Sequence, residues 1–343
     1  MSITITNFNR KYKQFNCSRK KLISLPALST IMNIPKLRYY NCSHNELTSL
    51  DALDTNINFP NLQILYCNHN QLRYLCQLSS LPDMNFPNLQ LFDCSVNQLT
   101  TLPNNMNFPN LKKFNCSENQ LTLLPAFGTN MNLPNLREFY CSHNKLTLLP
   151  DMNLPNLKEF YCSHNKLTLL PDMNFPKLQY FDCDSNQLTS LPNMNLPNLQ
   201  IFNCSGNQLT LLSNNMNLPN LQIFCCCINQ LTSLPNNMNF PNLQTLNCQR
   251  NQLTLLPDNM NFPNLQDFDC SKNQLIFIPD MNFPNLKEFN CQDNQLTSLP
   301  VCIFNFRNLR RFAYYNNMIE MSLQLARFID RMDTSFNKKL NVY

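Results

Sequence analysis

Apolar residues recur along this chain in one fixed phrase. In residues 136–150 the positions Leu136, Phe139, Cys141, Leu146 and Leu149 alternate with polar ones, and Asn144 and Pro150 complete the skeleton. It returns as Leu157, Phe160, Cys162, Asn165, Leu167, Leu170 and Pro171, and residues 138–153 and 159–174 are identical. The period of two around Phe139 predicts a short strand with Phe139 and Cys141 inward and Tyr140 outward. Asn144 ends that strand. Its amide both donates and accepts, so it suits a place where the backbone leaves a sheet. Leu146 and Leu149 bury the returning arm, and Met152 and Leu154 fill the core from the outer side. Pro150 and Pro155 lack donors and favour extended backbone. An arm this short predicts an extended or 3₁₀ convex side.

The phrase repeats in phase. Its Cys position falls at 17, 42, 67, 94, 116, 141, 162, 183, 204, 226, 248, 270 and 291, at intervals of 21 to 27 residues. A decayed last copy has Leu309, Phe312, Tyr314, Asn317 and Ile319. The Asn position gives a column: Asn45, Asn70, Asn97, Asn119, Asn144, Asn165, Asn186, Asn207, Asn229, Asn251, Asn273, Asn294 and Asn317. The predicted fold class is α/β: a solenoid of about 14 short parallel strands on a concave face, ~4.8 Å apart. The longer intervals put extra residues on the convex arm at 27–33, 52–58, 76–85 and 126–132, each long enough for one helical turn. Residues 1–11 form an N-terminal edge segment in which Ile3 and Ile5 alternate with Thr. Residues 12–319 are the solenoid. In 320–333, Met321, Leu325, Phe328, Ile329 and Met332 recur at helical spacing and predict a capping helix, as a terminal repeat needs. Residues 334–343 are a polar tail.

This phrase, with its period and its Leu-Pro arm, resembles the leucine-rich repeat family in its short-repeat type. The wording N-F-P-N-L-x-x-F-x-C-S-x-N-Q-L-T-x-L-P resembles the leucine-rich repeat proteins of giant DNA viruses of amoebae. The resemblance implies a horseshoe-shaped protein-binding scaffold without catalytic activity. One departure stands out. The family places an aliphatic residue where this chain has Cys.

Composition narrows the chemistry. The net charge is +5 over 343 residues, and basic residues such as Lys13, Arg19, Lys20, Arg307, Arg310 and Arg311 gather at the two ends. They read as solvated caps, not as a one-faced nucleic-acid site. The N-terminus has no apolar core of a signal peptide, and no run long enough to span a membrane occurs. With only 2 Gly, a phosphate-cradling loop is not expected. No nucleophile–base pairing and no clustered carboxylates are legible, so no catalytic residue, cofactor or metal is assigned.

The 17 Cys invite a redox or metal reading. In-register strands sit ~4.8 Å apart, whereas disulfide Cβ atoms need ~3.5–4.5 Å, and a linear ladder does not converge on a metal. The column reads as small buried hydrophobes. Cys225-Cys226-Cys227 differs: alternation puts Cys225 and Cys227 outward, as the candidate reactive thiols. Surface thiols and an odd Cys total point to a reducing, cytoplasmic site of action.

All four His, at 44, 69, 143 and 164, precede the column Asn and fall in adjacent pairs. A shared metal is one reading and duplication the other. Outward positions Tyr39, Tyr66, Tyr140, Tyr161 and Tyr180, with His143, His164, Glu138 and Glu159, form the candidate partner-binding set. Tyr140, Tyr161 and Tyr180 are its centre, and the two Glu are expected to face neighbouring Lys and Arg. Tyr with His is the composition of interface hot spots. The alternative is a polar exterior that merely solvates the sheet.

The sequence therefore predicts a monomeric, non-catalytic scaffold that binds a protein through its concave face, a host protein if the chain is viral, with no nucleic acid or membrane partner. Two further readings stand beside it: a substrate-recruiting adaptor in ubiquitination, and a structural repeat protein without a specific partner.

Overall fold

The structure is a computed structural model and describes residues 8–9, 13–25, 36–50, 59–73, 84–103, 106–127, 131–258 and 260–330. It contains two compact units, Met1–Leu178 and Gln179–Tyr343. In the first, β1 (Phe8–Asn9) pairs antiparallel with β2 (Gln14–Asn16). Parallel strands follow: β3 (Tyr39–Asn41), β4 (Ile64–Tyr66), β6 (Leu91–Asp93), β8 (Lys113–Asn115), β10 (Glu138–Tyr140) and β11 (Glu159–Tyr161). Between them β5 (Met84–Asn85), β7 (Met106–Asn107) and β9 (Met131–Asn132) form a second parallel sheet on the arms. The second unit stacks β12 (Tyr180–Asp182), β13 (Ile201–Asn203), β14 (Ile223–Cys225), β15 (Thr245–Asn247), β16 (Asp267–Asp269), β17 (Glu288–Asn290) and β18 (Arg311–Ala313) in chain order. Helix α1 (Leu323–Ile329) follows.

Each unit is thus a run of seven parallel strands, one per turn. The middle residue of nearly every strand is buried between two half-exposed ones, as at Glu138-Phe139-Tyr140. In-register pairing lines the middle residues up, Phe139 opposite Phe114 and Phe160. Their rings stack at 5.6 Å on both sides. A second Phe row comes from the arms and meets the first edge-on, as Phe92 meets Phe108 at 5.9 Å and 83°. Offset-stacked and edge-on contacts are the favourable aromatic geometries. In the second unit the same edge-on contact joins Phe268 and Phe283.

The column Asn joins each turn to the one before. Asn144 Nδ2 donates to the carbonyls of Cys116, Cys141 and Ser142 at 3.0, 3.1 and 3.2 Å, and its Oδ1 accepts from Leu121 N at 2.9 Å. Asn273 repeats the pattern with Cys248, Cys270, Ser271 and Leu253. Ten of the thirteen column Asn are buried, and Asn70, Asn97 and Asn317 are half-buried.

Two further Asn rows lie on the arms. In the turn Leu133-Pro134-Asn135-Leu136, closed by Leu136 N on Leu133 O, Asn135 donates to Pro109 O one turn earlier at 2.8 Å. Asn156, Asn242 and Asn285 do the same to Pro134, Pro219 and Pro263. In the Met-Asn segments, Asn132 Nδ2 meets Asn107 Oδ1 at 3.1 Å and Asn217 meets Asn195 at 2.8 Å.

The thiols occupy a hydrogen-bonding niche as well as a packing one. The carbonyl of Asn115 accepts from Cys94 N at 2.9 Å and from its Sγ at 3.4 Å. Cys116 on Tyr140 and Cys248 on Asp269 repeat this. A thiol, unlike an aliphatic side chain, can share that carbonyl.

The capping helix is shorter than 320–333. Ser322 caps it, its Oγ accepting from Leu325 N at 3.1 Å, and Met321 lies before it and is exposed. Leu325 and Phe328 are buried, Phe328 against Phe304 and Phe312. Ile3, Ile5, Met332 and the tail lie outside the described residues, as do the arm insertions 27–33 and 52–58. At 126–132 the described flanks are extended and pair as β-structure, because the Met-Asn segment finds the arm of the turn before it.

Candidate interaction face

The outward residues of the strands form two columns. In the first unit Tyr140 stacks on Tyr161 with centroids 4.9 Å apart and planes 6° from parallel. The Tyr140 hydroxyl donates to Glu159 Oε2 at 2.7 Å and approaches Glu138 Oε2 at 3.3 Å. Lys113 Nζ pairs with Glu138 Oε2 at 2.8 Å and sits 4.6 Å above the Tyr140 ring. Glu138 thus takes a cation of the turn before it and not one beside it in the chain. Glu159 does not face a neighbouring cation in this way; it takes the Tyr140 hydroxyl. Burial, then the Glu159 hydrogen bond, pushes the Tyr140 hydroxyl well above its usual range, which keeps it a donor. Both rings remain half-exposed.

Tyr39 and Tyr66 meet edge-on at 5.9 Å, and Tyr39 Oη accepts from Asn41 Nδ2 at 3.1 Å. Tyr180 belongs to the second unit. It is the first residue of its strand, in register with Ile201, so it occupies the strand position of Glu138 and Glu159 and not that of Tyr140. The three tyrosines do not form one column.

The His pairs stack. His44 lies over His69, and His143 over His164, each pair with centroids 4.2 Å apart and planes within 10°. Their shared phase has a backbone cause that the sequence reading missed. The residue before the column Asn has φ between 51° and 60° in every described turn from His44 to Asn316, and Arg19 has the same angle at this phase of the first turn, where Lys20 stands in place of Asn. This is the left-handed region, which Gly, Asn and Asp tolerate and β-branched residues resist. Gly206, Asp293 and Asn316 at this phase were the available signal. Burial, then His69 and Arg19, lowers the His44 pKa. Among the described residues no group of three or more His, Cys, Asp or Glu is placed to hold a metal.

The second unit corrects the expectation that carboxylates do not cluster. Asp267, Asp269, Glu288, Asn290 and Arg311 line a groove on its outward face. Register explains it, since Asp267 stands opposite Glu288 and Asp269 opposite Asn290. Arg311 Nη1 bonds Glu288 Oε1 at 2.7 Å, and Asp269 accepts from Ser271 Oγ and Asn290 Nδ2 at 2.6 and 3.0 Å. Burial, then Glu288, raises the Asp267 pKa. The signal was present in sequence as acids at one phase in successive turns.

These parallel in-register turns, with buried Phe and Cys and an Asn bonded into the previous turn, can be set against known proteins. A family model described as Leucine Rich repeats (2 copies) matches residues 134–174. The fold is a leucine-rich-repeat solenoid. Similar solved structures include YopM from Yersinia enterocolitica, at 28% identity over 91% of this chain and 67% of that one, with a TM-score of 0.69. A leucine-rich-repeat protein of Leptospira interrogans is 25% identical over 91% of this chain and 81% of its own, with a TM-score of 0.76. The functional domain of InlJ from Listeria monocytogenes, described as including a cysteine ladder, is 23% identical over 96% of this chain and 67% of that one, with a TM-score of 0.68, a likeness of fold alone. No curated protein matches the chain in sequence. Among the described residues of the solenoid, no helix is long and apolar enough to cross a membrane.

Proposed function

We propose that the chain is a non-catalytic scaffold whose first unit grips a partner protein through the outward face around Tyr140 and Tyr161. Leucine-rich-repeat proteins generally serve as protein-interaction scaffolds. The observation that carries the reading to this face is the stacked, half-exposed Tyr140–Tyr161 pair, held by Lys113, Glu138 and Glu159 before any partner arrives. Rigid aromatic side chains bury much area at little entropic cost, which is why they dominate interface hot spots. Tyr39, Tyr66, His143 and His164 extend the face within the first unit.

The partner in this proposal is a protein, of the host cell if the repeat wording reflects a viral origin, met in the cytoplasm by a monomeric chain. The free thiols support the reducing compartment. An adaptor role in ubiquitination is the same reading with a ligase as a further partner. The identity of residues 138–153 and 159–174 favours a second reading, a structural repeat without a specific partner. Affinity capture from host-cell extract separates the two. Wild-type chain retains a protein that the Tyr140→Ser, Tyr161→Ser, Tyr180→Ser variant loses, with unchanged circular dichroism. Equal capture by both removes the face from the proposal.

A further inference from the structure

The triplet Cys225-Cys226-Cys227 interrupts two outward columns at once. Elsewhere in the second unit the position of Cys225 holds Asn or Asp, with Ala313 in the last turn, and that of Cys227 holds Asp184, Ser205, Gln249, Ser271, Gln292 or Tyr315. Cys226 is fully buried in the thiol column, whereas Cys225 and Cys227 are both half-exposed. The strand ends at Cys225 and Cys227 lies two residues beyond it; at ~3.3 Å per residue of extended chain their Cα atoms would be roughly 6.6 Å apart. Two sulfur atoms bound to one metal at ~2.3 Å each lie up to about 4.6 Å apart, a span these side chains can close by rotation about χ1. Cys227 is oriented by a contact of 3.1 Å between its Sγ and Ser205 Oγ.

We infer that Cys225 and Cys227 form a two-thiolate site for a soft monovalent metal ion, with Cu(I) as the natural occupant. Coordination number selects the ion. Zinc wants four ligands, and no third His, Cys, Asp or Glu joins the pair among the described residues. Cu(I) is soft, prefers thiolate and is satisfied by two of them. Binding replaces two S–H protons: two thiols and Cu(I) give one bis-thiolate complex and two released protons, with no change of oxidation state. Because those protons are released on binding, uptake strengthens as pH rises. The column cysteines do not compete, because they are buried and their thiolates disfavoured.

The test is anaerobic titration of the full chain with Cu(I) supplied as its bicinchoninate complex, whose colour fades on transfer. The wild-type chain takes one Cu(I), more tightly at pH 8 than at pH 6. The variant Cys225→Asn, Cys227→Ser carries residues that neighbouring turns already hold, so its circular dichroism and thermal midpoint stay unchanged while Cu(I) affinity falls at least 100-fold. Each single substitution shows the same loss, and Cys302→Ser, at another half-buried cysteine, retains uptake. Failure of the wild-type chain to draw Cu(I), or undiminished uptake by the folded double variant, overturns the site.

Discussion

Leu121 N donates to Asn144 Oδ1 at 2.9 Å, across the gap between one turn and the next. Asn144 also feeds three carbonyls, so the amide is used in full. Asn144→Ala leaves those groups buried and unpaired, at a cost of about 1–3 kcal/mol. Asn144→Asp keeps the acceptor but loses both amide N–H donors and turns an anion toward three carbonyls. It should cost more than Ala at pH 7. Urea unfolding of both variants checks the order, and a milder effect for Asp would sink the account of the donor role.

Tyr40 occupies the stacked Phe position of its turn, against Phe15 at 5.3 Å. Its hydroxyl is fully buried and lacks an ordinary hydrogen-bond partner; the Cys17 thiol beside it is a weak one. Tyr40→Phe removes the unpaired group without opening a cavity. The expected outcome is unchanged stability or a gain of up to about 1 kcal/mol. A clear loss in thermal melting would mean that the hydroxyl is satisfied in solution.

The left-handed column holds two β-branched residues, Val96 and Ile228, at φ of 51° and 53°. Asn tolerates this region better, and Asn316 already occupies it. Val96→Asn and Ile228→Asn should each stabilise by roughly 0.5–1 kcal/mol, net of any lost apolar contact. Chemical denaturation of the two single variants and the double measures this. Destabilisation by both would show that packing at these side chains outweighs backbone strain.

The buried thiols predict an alkaline limit. Burial raises Cys17 from 9.0 to about 12, and Cys42, Cys94 and Cys270 rise well above 9.0 by burial first. In the unfolded chain the same thiols ionise near 9.0. Their contribution to stability is therefore complete below pH 9 and drains away as pH rises toward and past 12, at up to about 1.4 kcal/mol per pH unit for each thiol. The urea midpoint should stay level from pH 7 to about 8.5 and then fall steeply. A midpoint level through pH 11 contradicts this burial.

Much of the fold was legible because a solenoid writes its core in one repeated phrase. Phe139, Cys141, Asn144 and Leu146 each recur in phase, and each lands inside. The arms were harder. The rows of Asn135 and Asn132 were not legible, since a polar side chain on a short arm gives no hint of a partner one turn away. The His phase was seen but not its cause, because a backbone angle leaves only a faint trace when Arg, Glu and Val also occupy the position. The candidate face was least legible. Glu159 was read with its cationic neighbours along the chain, yet it bonds Tyr140 of the preceding turn. The groove of Asp267 and Glu288 exists only once register sets successive turns side by side.

The ladder bonds also have a direction. The side-chain amides of Asn144, Asn135 and Asn273 all donate to carbonyls of the turn made before them. A turn leaving the ribosome therefore finds the acceptors of its side-chain amide already in place, while backbone donors of the turn before it, such as Leu121 N and Cys116 N, wait for the next turn to arrive. Removing turns from the N-terminal side orphans side-chain amides, and removing them from the C-terminal side orphans backbone N–H groups. A nested series of truncations should therefore lose stability from either side, each cut exposing a different kind of donor.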